Sequence, residues 1–268
     1  MVRSFLANLA YRTRVGCSLN FDGVVMELAV IVPVRNEAEN LASLLEEIVR
    51  TLDGHYEYEI VYVDDGSTDD TLPGLIALQQ SFPRLRILRH RQGCGQSTAL
   101  LTGIRAAQGA TIATLDGDGQ NDPADIPRLL EALRELRQKN PIAMVTGHRK
   151  HRQDAGWRKL SSHIANAVRG SLLGDNTPDT GCGLKVFPRE LFLLLPYFDH
   201  MHRFLPALVL RAGGITMSVE VNHRPRLYGV SKYGTWHRLW VGIVDIIGVM
   251  WLQRRAKVAQ IEEITKKA

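Results

Sequence analysis

Between Ala110 and Pro123 a short apolar run ends in acid: Ala-Thr-Ile-Ala-Thr-Leu-Asp-Gly-Asp-Gly-Gln-Asn-Asp-Pro. Asp116 and Asp118 stand two apart, so in an extended segment their carboxylates point the same way. Gly117 and Gly119 let the backbone turn tightly around whatever lies between them. Two carboxylates that close repel each other unless a cation intervenes, and oxygen donors on a loop suit Mg²⁺ or Mn²⁺ rather than zinc. An ordinary Asp/Gly turn fits the same letters, so the stretch alone leaves both readings open. A second acidic cluster, Asp64-Asp65-Gly66-Ser67-Thr68-Asp69, closes another apolar run. Basic residues gather later in the chain. Arg149, Lys150, Arg152, Arg158, Lys159 and Arg169 face only Asp154 in one segment, and Arg224, Arg226, Lys232, Arg238, Arg254, Arg255 and Lys257 face only Asp245 in another.

The elements that would position these groups alternate. Leu28 to Val34 is a continuous β-branched run, the pattern of a strand buried on both faces of a parallel sheet. Asn36, with Glu39 three residues on, reads as a cap for a helix reaching about Leu52, whose apolar positions are Leu41, Leu44, Leu45 and Ile48. Glu59 to Val63 predicts a second strand, and Ser67 with Asp70 predicts the start of a second helix. Arg86 to Arg89 is a third strand, Gln96 to Gln108 a helix, and Ala110 to Leu115 a fourth strand. Such alternation predicts a doubly wound α/β sheet, in which ligands collect at the carboxyl ends of the strands. Those ends carry Pro33 to Glu37, Asp64 to Asp69 and Asp116 to Asp122. Further on, Ile142 to Thr146 predicts a strand, Trp157 to Leu173 a helix, Cys182 to Phe187 a strand and His202 to Arg211 a helix. Ile215 to Val221 alternates as a half-exposed strand, and Trp236 to about Thr265 is helical in pattern.

The 268 residues allow one large α/β domain or two small ones, and a net charge of +5 invites anionic partners. Three cysteines without a C-x-x-C pair fit a reducing compartment and argue against a disulfide framework or structural zinc. No Walker, G-x-G-x-x-G or G-x-S-x-G pattern occurs where it would be needed, which leaves dinucleotide and hydrolase readings without support. The net charge leaves a nucleic-acid-binding protein as a further alternative, although the basic residues match no recognised motif and accompany an acidic site. No apolar run reaches the ~20 residues of a transmembrane helix; Leu239 to Leu252 is shorter and holds Asp245. Residues 1–25 read as an N-terminal extension, either an amphipathic arm or sequence upstream of a start at Met26. Residues 26–235 form the main domain. Residues 236–268, with Trp236, Trp240 and Trp251 and a basic end, form an amphipathic helix suited to a membrane interface, the alternative being a core helix with a solvated tail.

IVPVRNEAEN, VDDGSTD, DGDGQNDP and HRPRLYGVSKYG, in that order, resemble glycosyltransferase family 2, and within it the polyprenyl-phosphate glycosyltransferases typified by dolichol-phosphate mannose synthase. The resemblance covers about residues 27–235. It implies a GT-A fold and an inverting transfer of a hexose from a nucleotide-diphosphate sugar to a polyprenyl phosphate, with Mg²⁺ or Mn²⁺ as cofactor. By the same resemblance Asp116, Asp118 and Gln120 are the metal side. Pro33, Arg35, Glu37, Asp64, Asp65 and Asp116 bind the nucleotide sugar, and Asp118, Arg226 and Lys232 serve catalysis. Arg149, Arg158 and Ser162 take the acceptor phosphate. Ser67 and Asn36, as helix caps, leave Asp64 and Asp65 spare for ligand. Gly119 and Asp122 depart from residues common in the family, and the C-terminal transmembrane helices of many bacterial relatives are missing. The resemblance therefore implies a peripheral enzyme at the cytoplasmic membrane face, reaching its lipid through the last helix or a membrane-protein partner, with no role for nucleic acid. A family-2 enzyme extending a different glycan is the alternative, and it would need a general base such as Asp179.

Overall fold

The computed structural model describes residues 26–149, 169–225 and 235–257. Its elements are β1 (Leu28–Val34), α1 (Leu41–Leu52), β2 (Tyr58–Asp64), α2 (Thr71–Gln79), β3 (Leu85–Arg89), α3 (Gln96–Ala106), β4 (Thr111–Thr114), α4 (Ile126–Lys139), β5 (Ala143–Arg149), β6 (Lys185–Pro188), α5 (Arg189–Leu194), α6 (Leu205–Arg211), β7 (Ile215–Val221) and α7 (Thr235–Arg254). The strands form one seven-stranded sheet in the order β3-β2-β1-β4-β6-β5-β7. Every neighbouring pair is parallel except those made by β6, which runs antiparallel to both β4 and β5.

Side-chain alternation along β1 explains why its sequence is apolar throughout. Leu28, Val30, Val32 and Val34 enter one core with α1 and α4, while Ala29 and Ile31 enter the other with α3, α5 and α6. Helices thus cover both faces of the sheet. β1 lies between β2 and β4, where the chain, having run outward through β2 and β3, returns to the other side. That reversal opens a crevice at the carboxyl edge, the place where an open α/β sheet receives ligands. With strands ≈ 4.8 Å apart, the ends of β2 and β4 stand roughly 10 Å from each other.

β1 and β7 match their expected spans, and the expected strand over Cys182–Phe187 begins later, at Lys185. α4 and α5 are additional to the expected elements. Of the helix expected over Trp157–Leu173, the described part, residues 169–173, is helical; the rest lies outside the described residues. The predicted caps are corrected. Asn36 adopts a left-handed φ of 54° and its side chain accepts the Thr68 N–H at 2.8 Å, while the Ser67 hydroxyl accepts the Asn36 N–H at 2.9 Å. These side chains clasp the β1 and β2 loops together across 31 and 32 residues and cap neither helix. At α2 it is Asp69 that accepts the Thr71 N–H, at 3.0 Å.

Candidate active site

Asp64 ends β2 and Asp65 follows it, and both carboxylates already accept backbone hydrogen bonds. Asp64 is fully buried and accepts the Ser67 N–H at 2.9 Å, with Arg89 Nε 3.5 Å from its other oxygen. Asp65 accepts the Cys94 N–H at 2.7 Å and the Gly95 N–H at 2.8 Å, and His90 Nδ1 lies 2.8 Å from its Oδ1. Burial pushes the Asp65 carboxyl up, but the hydrogen bonds from Cys94, His90 and Gly95 outweigh it and hold the group below its ordinary range. The acid therefore fixes the 93–95 loop as an ionised carboxylate.

The second acidic group follows β4, which stops at Thr114, so that Asp116 to Gly119 turn instead of continuing the strand. Gly119 supplies the left-handed residue of that turn, φ 72°. The Asp116 N–H is held at 3.1 Å by Oδ1 of Asn121, a side chain that is itself buried. The Asp116 carboxylate lies on the Cα of Gly183, where any Cβ would overlap it. Burial, and next the charge of Asp118, push Asp116 up to about 6, against the pull of Lys185, Arg149 and a hydrogen bond from Gln96. Asp118 accepts the Gln120 N–H at 3.1 Å, and Gln120 turns its side-chain N–H toward the Arg224 carbonyl at 3.5 Å.

Two consecutive residues join the acidic groups. Gly95 donates its N–H to Asp65, and Gln96, the first residue of α3, donates from Nε2 to Asp116 Oδ1 at 2.8 Å. Both acids thus belong to one crevice, as their positions at strand ends require. Pro33, Arg35 and Glu37 occupy the end of β1 between them; the Arg35 guanidinium lies against Gly93, and Glu37 accepts from Asn40 Nδ2 at 2.8 Å.

On the basic side, Arg226, Lys232, Arg158 and Ser162 lie outside the described residues. The segment that leads to Arg226 is described, and it docks on the acidic loop. Asn121 and His223 form an antiparallel bridge, and the Arg224 N–H donates to the Gln120 carbonyl at 3.1 Å. The Arg224 guanidinium reaches Asp122 and Glu47, each at 2.7 Å. Arg149, at the end of β5, makes a two-pronged pair with Asp179, Nε to Oδ2 at 2.6 Å and NH2 to Oδ1 at 2.8 Å. This corrects the expectation that Asp179 could act as a general base, because both its oxygens are committed to a guanidinium.

Sequence reasoning passed over Gln96, Asn121, Arg224 and Lys185. Lys185 is buried on β6, bonds the Cys182 carbonyl, and sits in the field of Asp116, Asp179 and Arg149; burial lowers its pKa. Its signal was present, a lone charge inside an apolar strand. Gln96 carried none.

The family model described as "Glycosyl transferase family 2" matches residues 29–194. The chain belongs to glycosyltransferase family 2. Among its family-2 relatives, dodecaprenyl-phosphate galacturonate synthase of Rhizobium johnstonii is 36% identical over 236 residues, which is 85% of this chain and 68% of that protein. Undecaprenyl-phosphate 4-deoxy-4-formamido-L-arabinose transferase of Proteus mirabilis is 33% identical over 212 residues, 78% of this chain and 63% of that protein. The chain thus spans about two thirds of the length of these relatives. Glucosyl-3-phosphoglycerate synthase of Mycobacterium tuberculosis, solved with Mg²⁺ and uridine diphosphate, superposes with a TM-score of 0.62 at 19% identity, covering 85% of this chain and 79% of that one. The same enzyme solved with Mn²⁺, UDP-glucose and glycerol 3-phosphate gives 0.59 at 20% identity, with 85% and 80% covered. The family-2 chain accordingly has a GT-A-like α/β fold.

Proposed function

We propose that this chain transfers a hexose from a nucleotide-diphosphate sugar to a polyprenyl phosphate, with inversion, at the cytoplasmic face of a membrane. The observation that carries this reading is the joined pair of acidic groups, Asp65 tied through Gly95 and Gln96 to Asp116, in the crevice beside β1. One group is a rigid ionised wall. The other, Asp116 with Asp118 and Gln120, is a set of oxygen donors whose mutual repulsion a cation relieves, and that fits Mg²⁺ or Mn²⁺. Bound there, such an ion would hold the donor's diphosphate and neutralise charge on the departing nucleotide.

The remaining roles follow from chemistry. Pro33, Arg35 and Glu37 line the nucleotide end between the two acids, with Asp64 and Asp65 shaping its wall. Arg226 and Lys232 follow Arg224 in the sequence, and as cations they would clamp the diphosphate. Arg149, Arg158 and Ser162 are assigned to the acceptor. A lipid phosphate is already an anionic nucleophile, so positioning by cations suffices and no base is required. Arg149 would do this while paired with Asp179.

No described helix is long and apolar enough to cross a membrane. α7 nonetheless turns Ile243, Val244, Ile247 and Trp251 outward, with Val244 66% exposed, beside Arg254, Arg255 and Lys257. An apolar stripe with a basic end suits a helix lying in an anionic interface. Incubation with polyprenyl phosphate and a panel of labelled sugar nucleotides tests the reaction. Lipid-linked product with one donor is the expected outcome; none with any donor overturns it. Val244→Asp with Ile247→Asp should lower co-sedimentation with anionic vesicles about tenfold, and unchanged co-sedimentation assigns the membrane contact elsewhere.

A further inference from the structure

Beside the acidic crevice, three side chains of different chemistry converge at the ends of β2 and β3. One donor atom each of Asp65, His90 and Cys94 lies within 4.8 Å of the other two, and His90 Nδ1 is 2.8 Å from Asp65 Oδ1. A carboxylate, an imidazole and a thiol together form a softer donor set than Asp116, Asp118 and Gln120, of the kind that takes Zn²⁺ or Co²⁺ in preference to Mg²⁺. The arrangement is held from outside. His90 Nε2 lies 2.9 Å from the Thr102 hydroxyl on α3; a metal would displace the Nδ1 hydrogen now donated to Asp65, while Nε2 keeps its hydrogen for Thr102 and holds the ring with Nδ1 toward the site. Asp65 Oδ2 is fixed separately by the Gly95 N–H, which keeps the carboxylate in place while Oδ1 serves as the donor. Cys94 is exposed, so an ion can enter from solvent and keep a water as its fourth ligand, whereas the His90 and Asp65 side chains are only 13% and 6% exposed.

We propose that Asp65, His90 and Cys94 form a second metal site, selective for zinc-like ions and separate from the Mg²⁺ or Mn²⁺ site. Its position gives it a consequence. The chain from Gly93 to Gln96 touches Arg35 at one end and Asp116 at the other. A metal on Cys94 and Asp65 would hold this loop at Cys94 and take up the charge of the Asp65 carboxylate, weakening nucleotide binding; this part rests on the nucleotide reading above.

The test is titration of the full chain with Co²⁺ in excess Mg²⁺, following the near-ultraviolet thiolate-to-cobalt band. One equivalent should produce the band. Cys94→Ser should abolish it, Thr102→Val should weaken binding ~10-fold or more, and Asp118→Ala should leave it unchanged. Absence of the band, or its survival in Cys94→Ser, overturns the site; the exposed position makes that variant a mild one. Affinity for UDP and GDP is then measured with and without saturating Zn²⁺. A loss of ~10-fold or more in the wild type but not in Cys94→Ser supports the coupling, and equal affinities overturn it. A chain that binds neither nucleotide even without zinc counts against the proposed function instead, and the cobalt band still decides the site.

Discussion

Two acidic groups end two strands that flank β1, yet they meet opposite fates. Asp65 is encircled by donors, the N–H groups of Cys94 and Gly95 and the ring of His90, which hold its carboxyl below the ordinary range despite its burial. Asp116 is pressed against Gly183 beside a second carboxylate, and burial and Asp118 raise it to about 6. The one has its compensating partners built in. The other has them only in part, from Gln96, Lys185 and Arg149. An acid with its donors in place builds architecture, while an acid short of them is where the proposed cation would bind.

Removing a group from each side should separate activity from stability. Asp118→Ala is expected to cost turnover about 10³-fold or more, since it takes away a proposed oxygen ligand and frees only the half-buried Gln120 N–H. Its thermal unfolding should match the wild type, and turnover near normal would refute the metal assignment. Asp65→Ala is expected to do the reverse first. It strands the Cys94 and Gly95 N–H groups, and should destabilise the fold by about 2–4 kcal/mol in denaturant unfolding. A loss under about 1 kcal/mol would show that the loop does not depend on it.

Asp116→Asn sharpens the contrast through pH. The unfolded chain ionises this residue near 3.8, the folded one at about 6, so between those values the folded state binds more protons and stability falls as pH rises. The cost is complete above about 6 and absent below about 4. Metal-free Asp116→Asn should therefore be more stable than the wild type at pH 7.5, on the order of 1–3 kcal/mol, and no more stable at pH 4. Asp65 contributes with the opposite sign, its stabilisation being present at neutral pH and lost as pH falls through its depressed value. Equal stability of the Asp116→Asn and wild-type proteins at pH 7.5 would mean that Lys185 and Gln96 already offset the buried charge.

Much of this contrast was legible in the chain. β1 and β7 follow from the β-branched run of Leu28–Val34 and the alternation of Ile215–Val221, and strand order alone predicts that the acidic motifs share an edge. α4 carried a readable pattern in Ile126, Leu129, Leu133 and Leu136, the side it buries. Two things could not be read locally. The Gln96 to Asp116 contact exists because β4 returns beside β1, a property of sheet order rather than of either segment. Asn36 and Ser67 look like caps because their types favour caps, but partners on the neighbouring loop compete successfully for the same atoms. Local propensity lost there to tertiary packing.

The smallest expected effect tests whether the acidic loop owes its shape to the segment after β7. Arg224 bridges Asp122 and Glu47, and its backbone N–H holds the Gln120 carbonyl, so it is the rivet between the metal side and the approach to Arg226. Its side chain is 38% exposed, and a pair so wetted adds little to stability, about 1 kcal/mol or less. Arg224→Ala should consequently shift the melting temperature by only a few degrees. Its Mn²⁺ affinity should nevertheless fall about 3–10-fold, a change of roughly 1 kcal/mol in the free energy of binding, because the segment whose backbone holds Gln120 loses its side-chain anchor on Asp122 and Glu47. Unchanged Mn²⁺ affinity would locate the loop's rigidity in Asn121 alone, whose buried side chain already grips the Asp116 N–H. Strong destabilisation without loss of Mn²⁺ affinity would place Arg224 with Asp65, among the residues that build the crevice rather than those that tune its ligand.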